Sequence, residues 1–224
     1  MAPITPWQPG RYPNSRRSDR IDIYQSKAEG EVRVADPYQW LEENSKETEQ
    51  WVDEQAEFTQ EYLSQSNARD RLKAELTKNW DYARFSAPSL KYDDRWYWYY
   101  NSGLSAQSIM YRSKDNKLPT VDPSTSQGPE EAGEIFFDPN MLSEDGTAAL
   151  SITAFSRCGK YFAYGVSLSG SDFFTTYVRS TDSPFNTRPE KGLVDPTGRL
   201  DDIIRFCKFS SVTWTHDSKG FFYQ

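Results

Sequence analysis

A single histidine limits the catalytic chemistry that this sequence supports. A serine nucleophile needs a base to accept its hydroxyl proton, and that base is almost always histidine. His216 lies in Trp214-Thr215-His216-Asp217-Ser218, a pattern typical of a strand end followed by a hairpin turn. We therefore interpret His216 as a turn residue, and we predict that this chain contains no catalytic residue.

The nearest approach to a nucleophile elbow also favours a structural role. Gly165-Val166-Ser167-Leu168-Ser169-Gly170 misses the G-x-S-x-G spacing by one residue, and a strand pattern follows it where an elbow requires a helix. We expect this segment to be the loop between the second and third strands of a sheet.

Metal and cofactor sites have little support. One histidine and two widely separated cysteines, Cys158 and Cys207, offer too few zinc ligands, and 142–146 lacks the spaced oxygens of a calcium loop. Phosphate-binding glycine motifs are absent, and no spacing singles out a pair of carboxylates. We predict no metal and no cofactor, and we interpret both cysteines as ordinary thiols.

The aromatic run Arg95 to Tyr100 admits two interpretations. If the run is exposed, it would form a platform on which sugars stack. If it lies in a sheet that is packed on both faces, continuous aromatic residues are expected because both faces are buried. We favour burial.

Composition and charge restrict the partners. The chain has 224 residues, of which 36% are hydrophobic and 15% aromatic, as in globular proteins. A net charge of −7 opposes nucleic-acid binding, and we interpret the basic cluster Arg16, Arg17 and Arg20 as solvated surface. Prolines interrupt the first residues where a signal peptide needs an apolar run, and no apolar stretch is long enough to span a membrane. We predict a cytoplasmic protein.

The periodicity of the chain changes near residue 80. Before it, Asp36 and Pro37 predict a helix start, Ser45 to Ser64 predicts a longer amphipathic helix, and Asn67 or Asp70 is placed to cap a third that runs to about Trp80. These helices follow an extended start. Their apolar stripes need a partner surface that the segment itself does not supply.

After Asp81 the sequence becomes strands and turns with an internal repeat. Three stretches, beginning at Ser89, Ile152 and Ser211, each show a strand, a polar turn and an aromatic strand. Aligning Trp96, Tyr161 and Phe221 gives a period of roughly 60 to 65 residues, and four short antiparallel strands per unit indicate a β-propeller blade.

A propeller needs more blades than this chain holds. We expect two blades and the start of a third, with an unpaired edge at 221–224 and the remainder downstream of Gln224. The alternative is a compact two-sheet domain that ends at Gln224.

Several motifs in one order resemble the prolyl oligopeptidase family, particularly its fungal members. The similarity begins with the V-x-D-P-Y-x-W-L-E motif at 34–42 and covers the chain from about Tyr12. The later matching stretches are Tyr99 to Leu104, Phe137 to Thr147, Tyr161 to Gly165, Ser169 to Asp172 and Trp214 to Asp217.

The resemblance implies a mainly β chain with N-terminal helices, cut from a cytosolic serine peptidase that cleaves short peptides on the carboxyl side of proline. Residues 1–80 would pack on an α/β-hydrolase domain that lies beyond Gln224 and carries the whole catalytic triad. Residues 81–224 would form blades 1 and 2 and the start of blade 3 of a seven-bladed β-propeller that admits only short peptides. We expect the full-length protein to be a monomer.

One site residue is implied by the resemblance. Phe209, in Lys208-Phe209-Ser210, matches a propeller phenylalanine that lines the apolar pocket for substrate residues upstream of the proline. A role in packing alone is the alternative. The turn at 25–30 and the loop at 117–134 are longer than is usual in the family.

Two further functions stay open. Some fungal relatives also close cyclic peptides, and the sequence does not separate that reaction from hydrolysis. A stand-alone interaction module with propeller-like sheets is the alternative from outside the enzymes.

Overall fold

The computed structural model describes residues 12–119, 133–186 and 198–224. The first eleven residues, which argued against a signal peptide, and most of the expanded loop at 117–134 lie outside the described ranges. Contacts divide the chain into two compact units, one up to Leu76 and one from Thr77 to Gln224. None of the described helices is long and apolar enough to cross a membrane.

The first unit contains a hairpin and helices. Strands β1 (Ile21–Ser26) and β2 (Gly30–Ala35) pair antiparallel, and a 3₁₀ turn (Gln39–Glu42) leads to α1 (Lys46–Ser64). Helix α2 (Arg69–Trp80) follows, and its last turn lies past the unit boundary at Leu76. The predicted extended start is therefore partly a hairpin, a pairing that the sequence analysis did not identify.

The start of α1 is confirmed, and the start after Asp36 is corrected. Ser45 is the N-cap of α1, and its hydroxyl accepts a hydrogen bond from the Thr48 backbone N–H at 3.2 Å, which satisfies one of the free donors of the first turn. The Asp36 carboxylate instead accepts from the Tyr38 N–H at 3.3 Å in a local turn, and only a short 3₁₀ segment follows.

Indole N–H groups join the segment before β1 to the helical part of this unit. Trp40 Nε1 donates to the Arg16 carbonyl at 2.9 Å, and Trp51 Nε1 donates to the Ser15 hydroxyl at 2.8 Å. Neither α1 nor α2 buries a residue fully. Trp51 and Phe58 of the predicted α1 stripe are half-buried, and the ring centroid of Phe58 lies 4.9 Å from that of Tyr12. The other large apolar residues of the two predicted stripes are exposed: Val52, Tyr62, Leu63, Leu72 and Leu76.

Two antiparallel sheets and a short hairpin form the second unit. The first sheet contains β3 (Arg84–Phe85), β4 (Ser89–Leu90), β5 (Trp96–Asn101), β6 (Ile109–Arg112) and β7 (Glu134–Phe137). The second contains β8 (Ala149–Phe155), β9 (Tyr161–Ser167), β10 (Phe173–Ser180) and β11 (Arg199–Lys208). The hairpin pairs β12 (Thr213–Trp214) with β13 (Phe221–Phe222).

Each large sheet is a four-position meander, as the repeat predicted. The second has the order β11-β10-β9-β8. In the first, β3 and β4 both pair with β5, so a broken strand occupies the edge position. The break falls next to Pro88, which has no N–H for a ladder. Ser86 bridges it, since its N–H donates to the Tyr99 carbonyl and its hydroxyl accepts from the Tyr99 N–H.

The strand register shows that the predicted alignment of the repeats is wrong by one residue in the second copy. The three pairs that close the turns are Leu90 with Trp96, Phe155 with Phe162, and Trp214 with Phe221. Phe162 therefore matches Trp96 and Phe221, where we aligned Tyr161. The turn before β9 is one residue longer than the turn before β5. The Ser156 N–H donates to the Tyr161 carbonyl in the longer turn, and the Lys91 N–H donates to the Arg95 carbonyl in the shorter one.

The core is an aromatic layer between the two large sheets. Phe136 and Phe137 from β7 meet Phe162 at ring-centroid distances of 5.1 and 6.0 Å, and Phe137 lies 4.8 Å from Tyr164. All four side chains are fully buried. Tyr97 of the run Arg95 to Tyr100 is buried in the same layer. Burial of the run is thereby confirmed for its central residues.

A buried arginine connects the sheets at the rim of this layer. Arg112 Nε donates to Glu134 Oε1 at 2.6 Å, and Nη1 donates to the Thr181 carbonyl, just beyond β10, at 2.5 Å. Its guanidinium also lies over the Phe136 ring. The charge is therefore paired and hydrogen-bonded, as burial requires.

Consecutive turns also contact one another. The Gly159 Cα faces the backbone of Tyr92 in the preceding repeat so closely that an added Cβ would lie 2.7 Å from its carbonyl oxygen. The Cys158 N–H donates to the Ser218 hydroxyl in the next repeat at 3.0 Å. The spacing between sheets is thus fixed at the turns as well as in the core.

We predict that Gly159→Ala destabilises the protein well beyond Gly170→Ala. Both glycines have positive φ, +73° and +74°, but nothing lies within 4 Å of a Cβ added at Gly170. Each variant carries the left-handed cost of about 1–2 kcal/mol, and Gly159→Ala adds an overlap of roughly 1–3 kcal/mol. Urea unfolding followed by tryptophan fluorescence measures both. Equal midpoints for the two variants would contradict the turn-to-turn contact.

We also predict that the two thiols differ in reactivity. Both cysteines are free; Cys158 is exposed and Cys207 is buried. Desolvation raises the pKa of Cys158, but hydrogen bonds from Ser156, the Lys160 backbone and Ser218 outweigh it and lower the pKa below that of an ordinary thiol. Iodoacetamide should label Cys158 first, from a lower pH than a model thiol, and label Cys207 only in denaturant. Peptide mass mapping across pH distinguishes the sites, and early labelling of Cys207 would contradict the fold.

Candidate substrate-binding surface

The structure places His216 in the turn between β12 and β13, as predicted. The hydrogen bonds of this turn are made by its neighbours: the Thr215 hydroxyl donates to Asp217 Oδ1 at 2.7 Å, and the Lys219 N–H donates to the same oxygen at 3.2 Å. These donors lower the pKa of Asp217. The nearby Ser218 hydroxyl accepts a hydrogen bond from the Cys158 backbone N–H. Serine, histidine and carboxylate are therefore not joined in a relay here.

The segment from Gly165 to Gly170 is also what the sequence predicted. Ser167 ends β9, the turn at Ser169 and Gly170 has positive φ, and β10 begins at Phe173. A strand follows the serine, so the elbow geometry is not formed. Among the described residues, no group of three His, Cys, Asp or Glu side chains is placed to hold a metal ion.

Phe209, the one predicted site residue, follows directly after β11. Cys207 and Ser210 on either side of Lys208 and Phe209 are buried. Cys207 accepts from the Thr176 hydroxyl, and the Ser210 hydroxyl accepts from the Gln224 N–H at 3.1 Å. The buried residues Cys207 and Ser210 therefore hold the backbone on both sides of Lys208 and Phe209. Phe209 itself is 75% exposed.

The backbone of Phe209 is strained. Its φ is +53°, a left-handed conformation that is unusual for a bulky residue and costs on the order of 1–3 kcal/mol. Burial of the ring within the chain does not offset this cost. Backbone strain of this kind clusters at ligand-binding and active sites.

A second exposed phenylalanine with a left-handed backbone, Phe206, was not predicted from the sequence. Its side chain is 84% exposed and its φ is +60°. It lies in a β-bulge, because two residues of β11, Arg205 and Phe206, stand opposite Thr175 of β10. Bulges redirect side chains and occur next to binding sites. The register of β11 is visible only in the folded sheet.

Lys208 brings charge to this surface. Its ammonium lies 5.2 Å from the centroid of the Phe209 ring and 5.1 Å from that of Phe173, and its Nζ is 3.7 Å from Asp172 Oδ2. We call Asp172, Phe173, Lys208 and Phe209 the aromatic–lysine cluster. An exposed ring beside a lysine ammonium is suited to binding an apolar side chain next to a polar peptide backbone.

The chain matches a known family over almost its whole length. Residues 13–224 match the model of the prolyl oligopeptidase N-terminal beta-propeller domain. Prolyl oligopeptidase A from Amanita bisporigera is 55% identical over 220 residues, which cover 98% of this chain and 28% of that protein. The dual function macrocyclase-peptidase POPB from the same organism is 50% identical over 222 residues, covering 99% of this chain and 30% of that protein.

Solved structures show the same similarity. Prolyl oligopeptidase B from Galerina marginata, bound to a 25mer macrocyclization substrate, superposes with a TM-score of 0.73 at 49% identity, covering 97% of this chain and 29% of that chain. The chain thus spans less than a third of the length of these relatives. The chain therefore belongs to the prolyl oligopeptidase family, and it corresponds to the N-terminal portion of these proteins, with the sequence of their β-propeller domain.

Proposed function

We propose that the full-length protein containing this chain is a serine peptidase that cleaves short peptides on the carboxyl side of proline. The observation that carries the proposal is the match of residues 13–224 to the family's propeller domain, together with 55% identity to a prolyl oligopeptidase. This chain supplies the propeller part of substrate selection, which acts as a size filter. The catalytic triad belongs to the C-terminal hydrolase domain.

The exposed apolar faces of the first unit are consistent with a hydrolase partner domain. Several large apolar residues of the two helices and of the hairpin are exposed: Ile23, Val34, Val52, Tyr62, Leu63, Leu72 and Leu76. Covering such surface is worth about 25 cal/mol per Å². We propose that the C-terminal hydrolase domain covers it in a monomeric, cytoplasmic enzyme.

We further propose that Phe209 lines the apolar pocket for substrate residues upstream of the proline. Its ring is exposed, its backbone is strained, and its position is fixed by the buried Cys207 and Ser210. A pocket wall needs these properties: an apolar surface free for a ligand, held on a rigid support.

Macrocyclisation is a second candidate activity. The observation that favours it is the similarity to the dual function macrocyclase-peptidase and to the structure bound to a macrocyclization substrate. Both reactions share the acyl-enzyme and differ in whether water or a peptide amine attacks it.

A stand-alone interaction module is the alternative outside the enzymes. The intact mass of the native product in its source cells distinguishes it, because a module would have the 25.9 kDa of this chain. The peptidase would be about three and a half times as heavy, because the matching 220 residues are 28% of a relative's length.

We predict that the purified full-length protein cleaves short proline peptides and is inactivated by a serine-directed phosphonate. Mass spectrometry of the products after incubation with a proline-containing 25mer separates the activities, since a cyclic product weighs one water less than the corresponding linear product. Peptides that carry alanine in place of proline are the matched control. A soluble protein that is inert toward every short proline peptide would contradict the peptidase proposal.

For Phe209→Ala in the full-length enzyme, we expect KM to rise at least tenfold for peptides with a large apolar residue upstream of the proline. Burying such a side chain against the ring is worth roughly 1.5–3 kcal/mol. Peptides with glycine at the upstream position have no side chain to bind there and should be nearly insensitive to the variant. Equal KM for both peptide classes in wild type and variant would remove Phe209 from the pocket.

A further inference from the structure

We propose that Lys208 is a positioning residue for Phe209, whose ring it holds in the orientation that receives the substrate side chain. The inference rests on the proposed function, because it assigns how one wall of that binding pocket is kept in place.

The Lys208 ammonium contacts two side chains at the start of β10. Lys208 stands opposite Phe173 in the β10–β11 register, so its side chain emerges next to that ring and lies 5.1 Å from the ring centroid. Asp172 approaches the ammonium from the same strand end, at 3.7 Å. An aromatic face and a carboxylate together favour one position for an otherwise flexible side chain.

From this position the ammonium reaches the Phe209 ring at 5.2 Å. Within the described residues, the Phe209 ring has no aromatic neighbour, and the contact with Lys208 is its one ring interaction. The exposed ring would otherwise rotate freely about its side-chain torsions. The cation therefore restricts a ring that the core does not restrict, which preorganises the pocket wall.

Lys91 also contacts an aromatic ring, but that ring is held in place by other side chains. The Lys91 ammonium lies over the ring of Phe155 at 5.6 Å. That ring is packed against Tyr97, Phe136 and Phe162, so removing the Lys91 charge should leave its orientation unchanged. Lys91 is therefore the matched control for a charge that touches an aromatic ring without positioning it.

The test uses three variants of the full-length enzyme. Lys208→Met keeps the length and apolar stem but removes the charge, Lys208→Arg keeps the charge, and Lys91→Met is the control. For peptides with a large apolar residue upstream of the proline, Lys208→Met should raise KM about two- to fivefold, the range of an exposed cation–π contact, with kcat unchanged. Lys208→Arg should restore KM, Lys91→Met should not alter it, and glycine peptides should not respond.

Three other results would each overturn the positioning role of Lys208. If Phe209→Ala raises KM while Lys208→Met does not, the positioning role is overturned and the pocket role of Phe209 stands. If Phe209→Ala has no effect on KM, the proposed pocket fails and the positioning role fails with it. If Lys208→Met lowers kcat and the melting temperature while KM stays constant, Lys208 is structural and the proposal is overturned.

Discussion

The interlocking of aromatic side chains between two antiparallel sheets is the interaction on which the rest of this structure depends. Phe136 and Phe137 from the last strand of one sheet pack against Phe162 and Tyr164 from the middle of the next. Aromatic pairs of this kind combine large buried area with preferred ring angles, so they fix both the separation and the register of the sheets. The turn contact at Gly159 and the hydrogen bond from Arg112 to the Thr181 carbonyl join the two sheets, so both depend on that separation.

The same rigidity allows the chain to tolerate strain where it is useful. A left-handed, exposed phenylalanine is unfavourable in isolation, and at the end of a loose strand the backbone would relax. Here Cys207 and Ser210 are buried on either side of Lys208 and Phe209, so relaxation would disturb both anchors. The free energy gained in the core thus offsets the cost of presenting Phe209, and the lysine next to it limits the motion of the ring.

The sequence predicted those features that depend on local chemistry or on a long repeat. Ser45 as a helix cap, the turn character of His216 and the four-stranded units follow from residue type and spacing. The pairing of β1 with β2 and the match of Phe162 to Phe221 depend on strand register, which one extra turn residue shifts. Phe209 was identified through a family resemblance, whereas the left-handed φ of Phe206 and the contacts of Lys208 arise only once β10 and β11 pair around a bulge.

The proposed role of this chain in substrate binding depends most on Phe209 facing the substrate from the strand end after β11. A crystal structure of the full-length enzyme, with its catalytic serine replaced and a proline peptide bound, tests this directly. We predict that the Phe209 ring contacts the peptide residue upstream of the proline. The Lys208 ammonium should still lie next to the rings of Phe173 and Phe209. A bound peptide that leaves Phe209 in solvent or buried between propeller blades would contradict the proposed role of Phe209.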